Sequence, residues 1–241
     1  MFFGNGINPK VINALFIILI IYSLATMSSG EMIYSLMTLP GVIIAITFHE
    51  FAHAAMAVHY GDNTPREEGR YTLNPIKHLE WFGVIMLLFT HIGWGKPVRV
   101  NRNSFVNKSP AFCETMVALA GPLMNFLLAI IFKIAALLLI KFYYSNYILR
   151  NIANMLNIFV IINLGMGIFN LIPIYPLDGE KIFRNFLPAK WKMFIQNNYG
   201  TISFVFLFLW FVGILGVVVN PVISAADTGL TYVLSLLINL F

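Results

Sequence analysis

The sequence predicts an all-α polytopic membrane protein with five to six transmembrane helices and a small extended, re-entrant segment near residues 81–100. Three observations carry this. Of 241 residues, 59% are apolar and 10% are Asp, Glu, Lys or Arg, against about 45–50% and about 25% in ordinary soluble domains. Mean hydropathy is +0.80. The apolar residues gather into runs of the length a bilayer crossing needs, about 20 residues. Such a composition excludes a disordered chain, a disulfide scaffold, a coiled coil and an ordinary cytosolic enzyme. The net charge of +5 is no nucleic-acid footprint, because excess Lys and Arg in a membrane chain marks its cytoplasmic loops. The chain reads as one domain over residues 1–241. With a single cysteine, Cys113, it can form no internal disulfide, and that residue reads as an inert small side chain.

Taken in order, the full spans fall at 11–26, 34–60, 111–140, 152–172 and 201–219. The first has features of a signal peptide, with Lys10 before it and Ser23-Leu24-Ala25 at its end. Its length and the charge distribution favour an uncleaved span. The run at 80–93 is too short to cross and suits a re-entrant or interfacial segment. Lys96-Pro97-Val98-Arg99-Val100 alternates and is β-branched, so it reads as a short edge strand, with Pro97 fixing it at the edge. The tail at 230–241 reads as a half-span or interfacial helix. With the N-terminus inside and the spans alternating, twelve basic residues lie inside: Lys10, seven in 61–110 and four in 173–199. Lys141 and Arg150 lie outside, and Lys133 falls within a span, where it is expected to snorkel to the outer interface. This asymmetry puts the N-terminus in the cytoplasm. The small single chain suits a prokaryotic plasma membrane.

The second span contains His49-Glu50-Phe51-Ala52-His53. Histidines at i and i+4 share a helix face, one turn apart, so both imidazoles can reach one zinc ion. Glu50 projects beside that ion and can deprotonate a water it holds. An ionisable side chain at the centre of a span costs about 2.5–3.5 kcal/mol on insertion scales. Three polar side chains within five residues therefore need a compensating partner, and zinc is the economical one.

A hydrolytic zinc takes three protein ligands and leaves a position for water. Candidates for the third ligand are His59, Asp62, His78, His91, Asp178 and Glu180. His59 and Asp62 lie two to three turns beyond His53 on the same rod, too far along to close the site. His78 and His91 read as interfacial polar side chains. Asp178 is the best choice. Pro173 and Pro176 break the fourth span just before it, and Gly179 after it permits close backbone approach. Irregular backbone at membrane depth is tolerated where it lines a cavity. The second and fourth spans both run inward, so the cytoplasmic end of each can meet the other.

Asn125, in Gly121-Pro122-Leu123-Met124-Asn125, has two readings. It can bond a neighbouring helix, or donate to a peptide carbonyl or developing oxyanion. Gly121 and Pro122 would loosen the helix and open Asn125 to a water-filled cavity. Asn163 and Asn170, seven apart on one face, read as structural hydrogen-bonding residues.

These residues together resemble the site-2 protease family of intramembrane zinc metalloproteases. The resemblance rests on the zinc helix followed by Gly61-Asp62, Leu73-Asn74-Pro75, Gly93-Trp94-Gly95-Lys96-Pro97-Val98, Gly121-Pro122 with Asn125, and Asn170-Leu171-Ile172-Pro173 with Pro176-Leu177-Asp178-Gly179. It covers about residues 40–185, leaving extra spans at about 11–26 and 201–241. The resemblance implies zinc held by His49, His53 and Asp178, with Glu50 activating the water and Asn125 holding the substrate strand or oxyanion. It implies cleavage within or beside transmembrane helices of other membrane proteins, the substrate being received in extended form by strand addition. The partners are then a transmembrane protein substrate and membrane lipid, with no nucleic acid; oligomeric state is left open. Arg66-Glu67-Glu68-Gly69-Arg70 is more charged than the usual loop, and Gly95 stands where the family often has Ala. No PDZ or CBS domain fits, so the resemblance is to a minimal, core-type member. The alternative is a zinc-binding membrane protein without catalysis, either an inactive relative or a metal transporter. A transporter has no need for Glu50.

Overall fold

The computed structural model describes residues 17–18, 21–22, 25–80, 83–84, 95–106 and 108–239. Helix α1 (Ser29–His59) begins at a capping box: the Ser28 hydroxyl accepts from the Glu31 N–H, and the Glu31 carboxylate accepts from the Ser28 N–H. A short helix, α2 (Thr64–Glu67), follows. Helix α3 (Pro110–Tyr143) starts with Pro110 in its first turn and Ser109 accepting from the Phe112 N–H. Asn146 caps α4 (Tyr147–Asn170) through the Leu149 N–H. Then come α5 (Asp178–Arg184), α6 (Ala189–Asn197), α7 (Tyr199–Phe211) and α8 (Ile214–Asn239).

Among the described residues, α1, α3, α4 and α8 are long and apolar enough to cross a membrane. Side-chain pairs fix their relative directions. His53 meets Val117, and His49 meets Asn125, so α1 and α3 are antiparallel. Asn125 meets Asn163, and Lys133 meets Asn157, so α3 and α4 are antiparallel. Lys133 meets Asp227, and Lys141 donates to the Ile238 carbonyl, so α3 and α8 run parallel. Close approach depends on small residues: Ala45, Ala54, Ala57, Ala118, Ala129 and Ala136 are all buried. In lipid, helices associate by packing rather than by hydrophobic transfer, which favours such residues at contacts.

Three expectations are corrected. The predicted span at 201–219 is not one helix. The 13-residue α7 stops at Phe211, a turn at Val212–Gly213 follows, and a 26-residue α8 takes in much of the predicted half-span at 230–241. Gly213 adopts φ +81°, a conformation that L side chains resist, so it ends one helix and redirects the next. Lys133 does not snorkel: it is buried, with Nζ 2.7 Å from Asp227 Oδ1 and 2.9 Å from Asn157 Oδ1. Two partners on neighbouring helices offset the loss of water that snorkelling would have avoided. The segment from Lys96 to Val100 forms no strand among the described residues. One antiparallel bridge joins Leu79 and Gly95, and the Lys96 N–H donates to the His78 carbonyl. The expected first span at 11–26 lies outside the described residues except 17–18, 21–22 and 25–26, which are helical. Most of the expected re-entrant run, including His91, lies outside them too.

Candidate metal centre

His49 and His53 project from the same face of α1 toward α3. Each imidazole has its Nδ1 tied down. His49 Nδ1 is 2.6 Å from Asn125 Oδ1, and His53 Nδ1 is 2.7 Å from the Val117 carbonyl oxygen. Both partners only accept, so both Nδ1 atoms carry the proton and both Nε2 atoms present lone pairs. Those Nε2 atoms lie 3.0 Å apart. Asp178 Oδ2 stands 3.1 Å from one and 3.0 Å from the other.

Three unshared pairs converging at this separation repel unless a cation or a shared proton lies among them. Zinc bonds imidazole nitrogen at about 2.0–2.1 Å in tetrahedral sites, which places neighbouring ligand atoms about 3.3 Å apart. The triangle is therefore close to the size zinc needs. All three side chains are buried, and they form the metal-competent cluster found among the described residues. His49, His53 and Asp178 are placed to hold zinc.

Their position follows from local structure. Gly121 on α3 faces the imidazoles, and a Cβ there would lie 2.5 Å from His53 Nε2 and 2.6 Å from His49 Cε1. Asp178 is presented because α4 ends at Asn170 and α5 restarts at Asp178 itself. Gly179 lets that restart pack against the end of α4: a Cβ would meet the Leu171 and Ile172 carbonyl oxygens at 2.4 and 2.3 Å.

Glu50 shares a cavity of about 240 Å³ with the three metal-site residues. Its Oε2 accepts from the Val98 N–H at 2.9 Å. The segment expected as an edge strand is thus docked on the zinc helix by a backbone donor. A second bond secures it farther along: the Asn101 N–H donates to Asp62 Oδ2 at 2.7 Å, while Asp62 Oδ1 accepts from the Thr64 N–H. Asp62 is fully buried in this latch rather than at the metal.

The remaining candidates separate in the same way. His78 is buried with Nε2 donating to the Thr72 carbonyl. Glu180 is buried against Arg184, with Nη2 donating to Oε2 at 2.9 Å and Nε 2.8 Å from Oε1. Arg184 also lies 3.7 Å from Glu114, and Arg102 lies 3.5 Å from Glu114. Glu180 and Glu114 hold the Arg184 pKa above its ordinary value against the opposing effect of burial.

Asn125 has no exposed surface, contrary to the loosened helix expected around it, and α3 continues unbroken through Pro122. Its oxygen faces His49, and its amide donates to the Ala45 carbonyl at 3.2 Å and to Asn163 Oδ1 at 3.0 Å. Asn163 in turn donates to the Phe159 carbonyl. The sequence reading missed the Val117 carbonyl, which has no letter of its own, and Lys181, which stands 3.7 Å from Asp178 Oδ1. A signal for Lys181 did exist, three residues after the ligand on one short helix.

Comparison with known proteins points to the same class of chemistry. The relative YwhC of Bacillus subtilis, which is named as a zinc metalloprotease, is 39% identical over 174 residues, covering 70% of this chain and 78% of its own. Residues 137–214, which include Asp178, match the pattern of peptidase family M50. The chain belongs to that family. The zinc metalloprotease MJ0392 of Methanocaldococcus jannaschii is 27% identical over 150 residues, 62% of this chain and 34% of that longer one. No solved structure matches the chain. Family membership, the triad and the four apolar helices together make this a multi-pass membrane protein of the zinc metalloprotease class.

Proposed function

We propose that this protein is an intramembrane zinc endopeptidase that hydrolyses peptide bonds within or beside transmembrane segments of other membrane proteins. One observation carries the reading: a zinc-sized triad and a carboxylate share a cavity among helices long enough to cross a bilayer. Bound zinc supplies Lewis acidity and makes water a nucleophile at neutral pH. His49, His53 and Asp178 hold the ion, and Asn125 and the Val117 carbonyl hold the two imidazoles in the ligating tautomer. Glu50 takes a proton from the attacking water as its oxygen adds to the scissile carbonyl. It returns that proton to the amide nitrogen as the C–N bond breaks. Asn125 acts on the substrate only indirectly in this scheme, because both ends of its amide are engaged inside the protein.

The basic loops favour a cytoplasmic position for the metal-site end of α1 and α4. Both relatives named above come from prokaryotes, which supports a plasma-membrane location. The test uses purified full-length protein. Wild type and Glu50→Gln should each bind about one zinc, and only wild type should cleave a single-span substrate. His49→Ala with His53→Ala should bind none. Equal cleavage by Glu50→Gln and wild type would sink the protease reading and leave a zinc-binding membrane protein without catalysis.

A further inference from the structure

The charges lining the zinc cavity are not evenly presented. Its carboxylates are withdrawn and occupied. The Asp178 side chain is 9% exposed and faces the histidines, and that of Glu114 is 17% exposed between Arg184 and Arg102. Glu50 is bonded to the Val98 N–H. The bases stand outward: the side chains of Arg102 and Lys181 are 48% and 47% exposed. Arg102 comes no closer than 3.5 Å to Glu114 and offers five N–H donors in all. Lys181 touches Asp178 at 3.7 Å through Oδ1, the oxygen turned away from the imidazoles. A chain entering this cavity therefore meets positive charge first.

We propose that Lys181 and Arg102 select a substrate segment carrying Asp or Glu within two residues of the scissile bond. This rests on the protease reading above and names the substrate class for it. An extended chain rises about 3.3 Å per residue. A carboxylate one or two residues from a carbonyl held at the triad thus comes within reach of an ammonium beside Asp178. The preference has a second side. In the orientation proposed, the mouth faces the cytoplasm, where the flanks of transmembrane helices are rich in Lys and Arg. Such a flank is repelled, so the common membrane helix is disfavoured and one with an acidic cytoplasmic flank is accepted.

The test presents zinc-loaded wild-type protein with three single-span substrates that differ at one position, two residues from the cleaved bond: Glu, Gln or Lys. The expected order of kcat/KM is Glu above Gln by about fivefold, with Lys below Gln, the size of one good exposed charge pair. Lys181→Gln and Arg102→Gln should each narrow the Glu-to-Gln ratio, and the double variant should abolish it. Lys181→Arg alone should keep the wild-type ratio. Cleavage of the Gln substrate registers any general loss, and metal analysis registers any loss of zinc. Binding to the zinc-loaded Glu50→Gln protein, read by fluorescence anisotropy of the labelled substrates, should show the same ranking in Kd. If wild type cleaves all three substrates equally, or the double variant keeps the ratio, the selection is overturned and the protease reading stands. If none is cleaved but the Kd ranking appears, the acidic-segment site stands and the protease reading falls. If neither cleavage nor ranking appears, both fall.

Discussion

A neutral imidazole ligates zinc only if its proton sits on the far nitrogen, and here two acceptors on α3 enforce that choice. Asn125 does it for His49 and the Val117 carbonyl does it for His53. Partners of this kind are typically worth 10–100-fold in metal affinity. Asn125→Ala should weaken zinc binding by about that factor in a chelator competition, while the folded helical content is kept. Gly121→Ala tests the space the rings need. Its methyl group would lie 2.5–2.6 Å from both imidazoles, so zinc stoichiometry should fall well below that of wild type with circular dichroism unchanged. Full zinc binding by this variant would mean the rings sit elsewhere. The ligand pair was legible in the sequence because spacing of four is geometry in a helix. Asp178 was legible because two prolines and a glycine break a span beside it. The acceptor on His53 was not, since a backbone carbonyl leaves no mark in the residue letters. Asn125 was singled out for its oddity in a span, but its partner could not be read, because an amide in an apolar helix serves a neighbouring helix and a substrate equally well on paper.

Elements are joined by a few buried charged groups, and the cost of breaking them separates structural from catalytic roles. Lys133 and Asp227 join α3 to α8, with Asn157 of α4 closing the cluster. Removing one member of a fully buried pair strands the other at about 3–5 kcal/mol, and less where one partner is half-buried, as Asp227 is, whereas replacing both by apolar residues is often neutral. Lys133→Met and Asp227→Leu should each lower the thermal midpoint in detergent, and the double variant should recover most of the loss. Equal loss in the double variant would show that the pair is not what joins the helices. Asp62 makes a parallel case at the metal-site end. Its two oxygens hold the N–H groups of Thr64 and Asn101, both only part-buried, so Asp62→Ala removes two bonds worth about 0.5–1.5 kcal/mol each. The segment that carries Val98 to Glu50 should then be cut faster by trypsin at Arg99 and Arg102. Helix existence was legible here from hydrophobic runs, but helix ends and cross-helix pairs were not. Lys133 looked like an outer-interface residue because its carboxylate partner lies on a helix the sequence divided differently, at Gly213.

For the whole molecule, orientation is the decisive property, because it fixes which compartment supplies water and substrate flanks. The pair contacts establish that α1 and α4 run one way and α3 and α8 the other. They are silent on which way faces the cytoplasm, and only the distribution of Lys and Arg speaks to that. The chain makes the question easy to ask, since Cys113 is its single cysteine and is buried. In a Cys113→Ala background, cysteines placed at Lys77, Phe186 and Tyr144 would each be exposed. An impermeant maleimide added to intact cells should label Tyr144→Cys alone, because the turn between α3 and α4 lies at the opposite end from the zinc cavity. Lys77→Cys and Phe186→Cys should label only after the membrane is opened. The reverse pattern would leave the metal geometry untouched but turn the cavity outward. Lys181 and Arg102 would then have few basic flanks to reject, since outer flanks carry no such excess of charge.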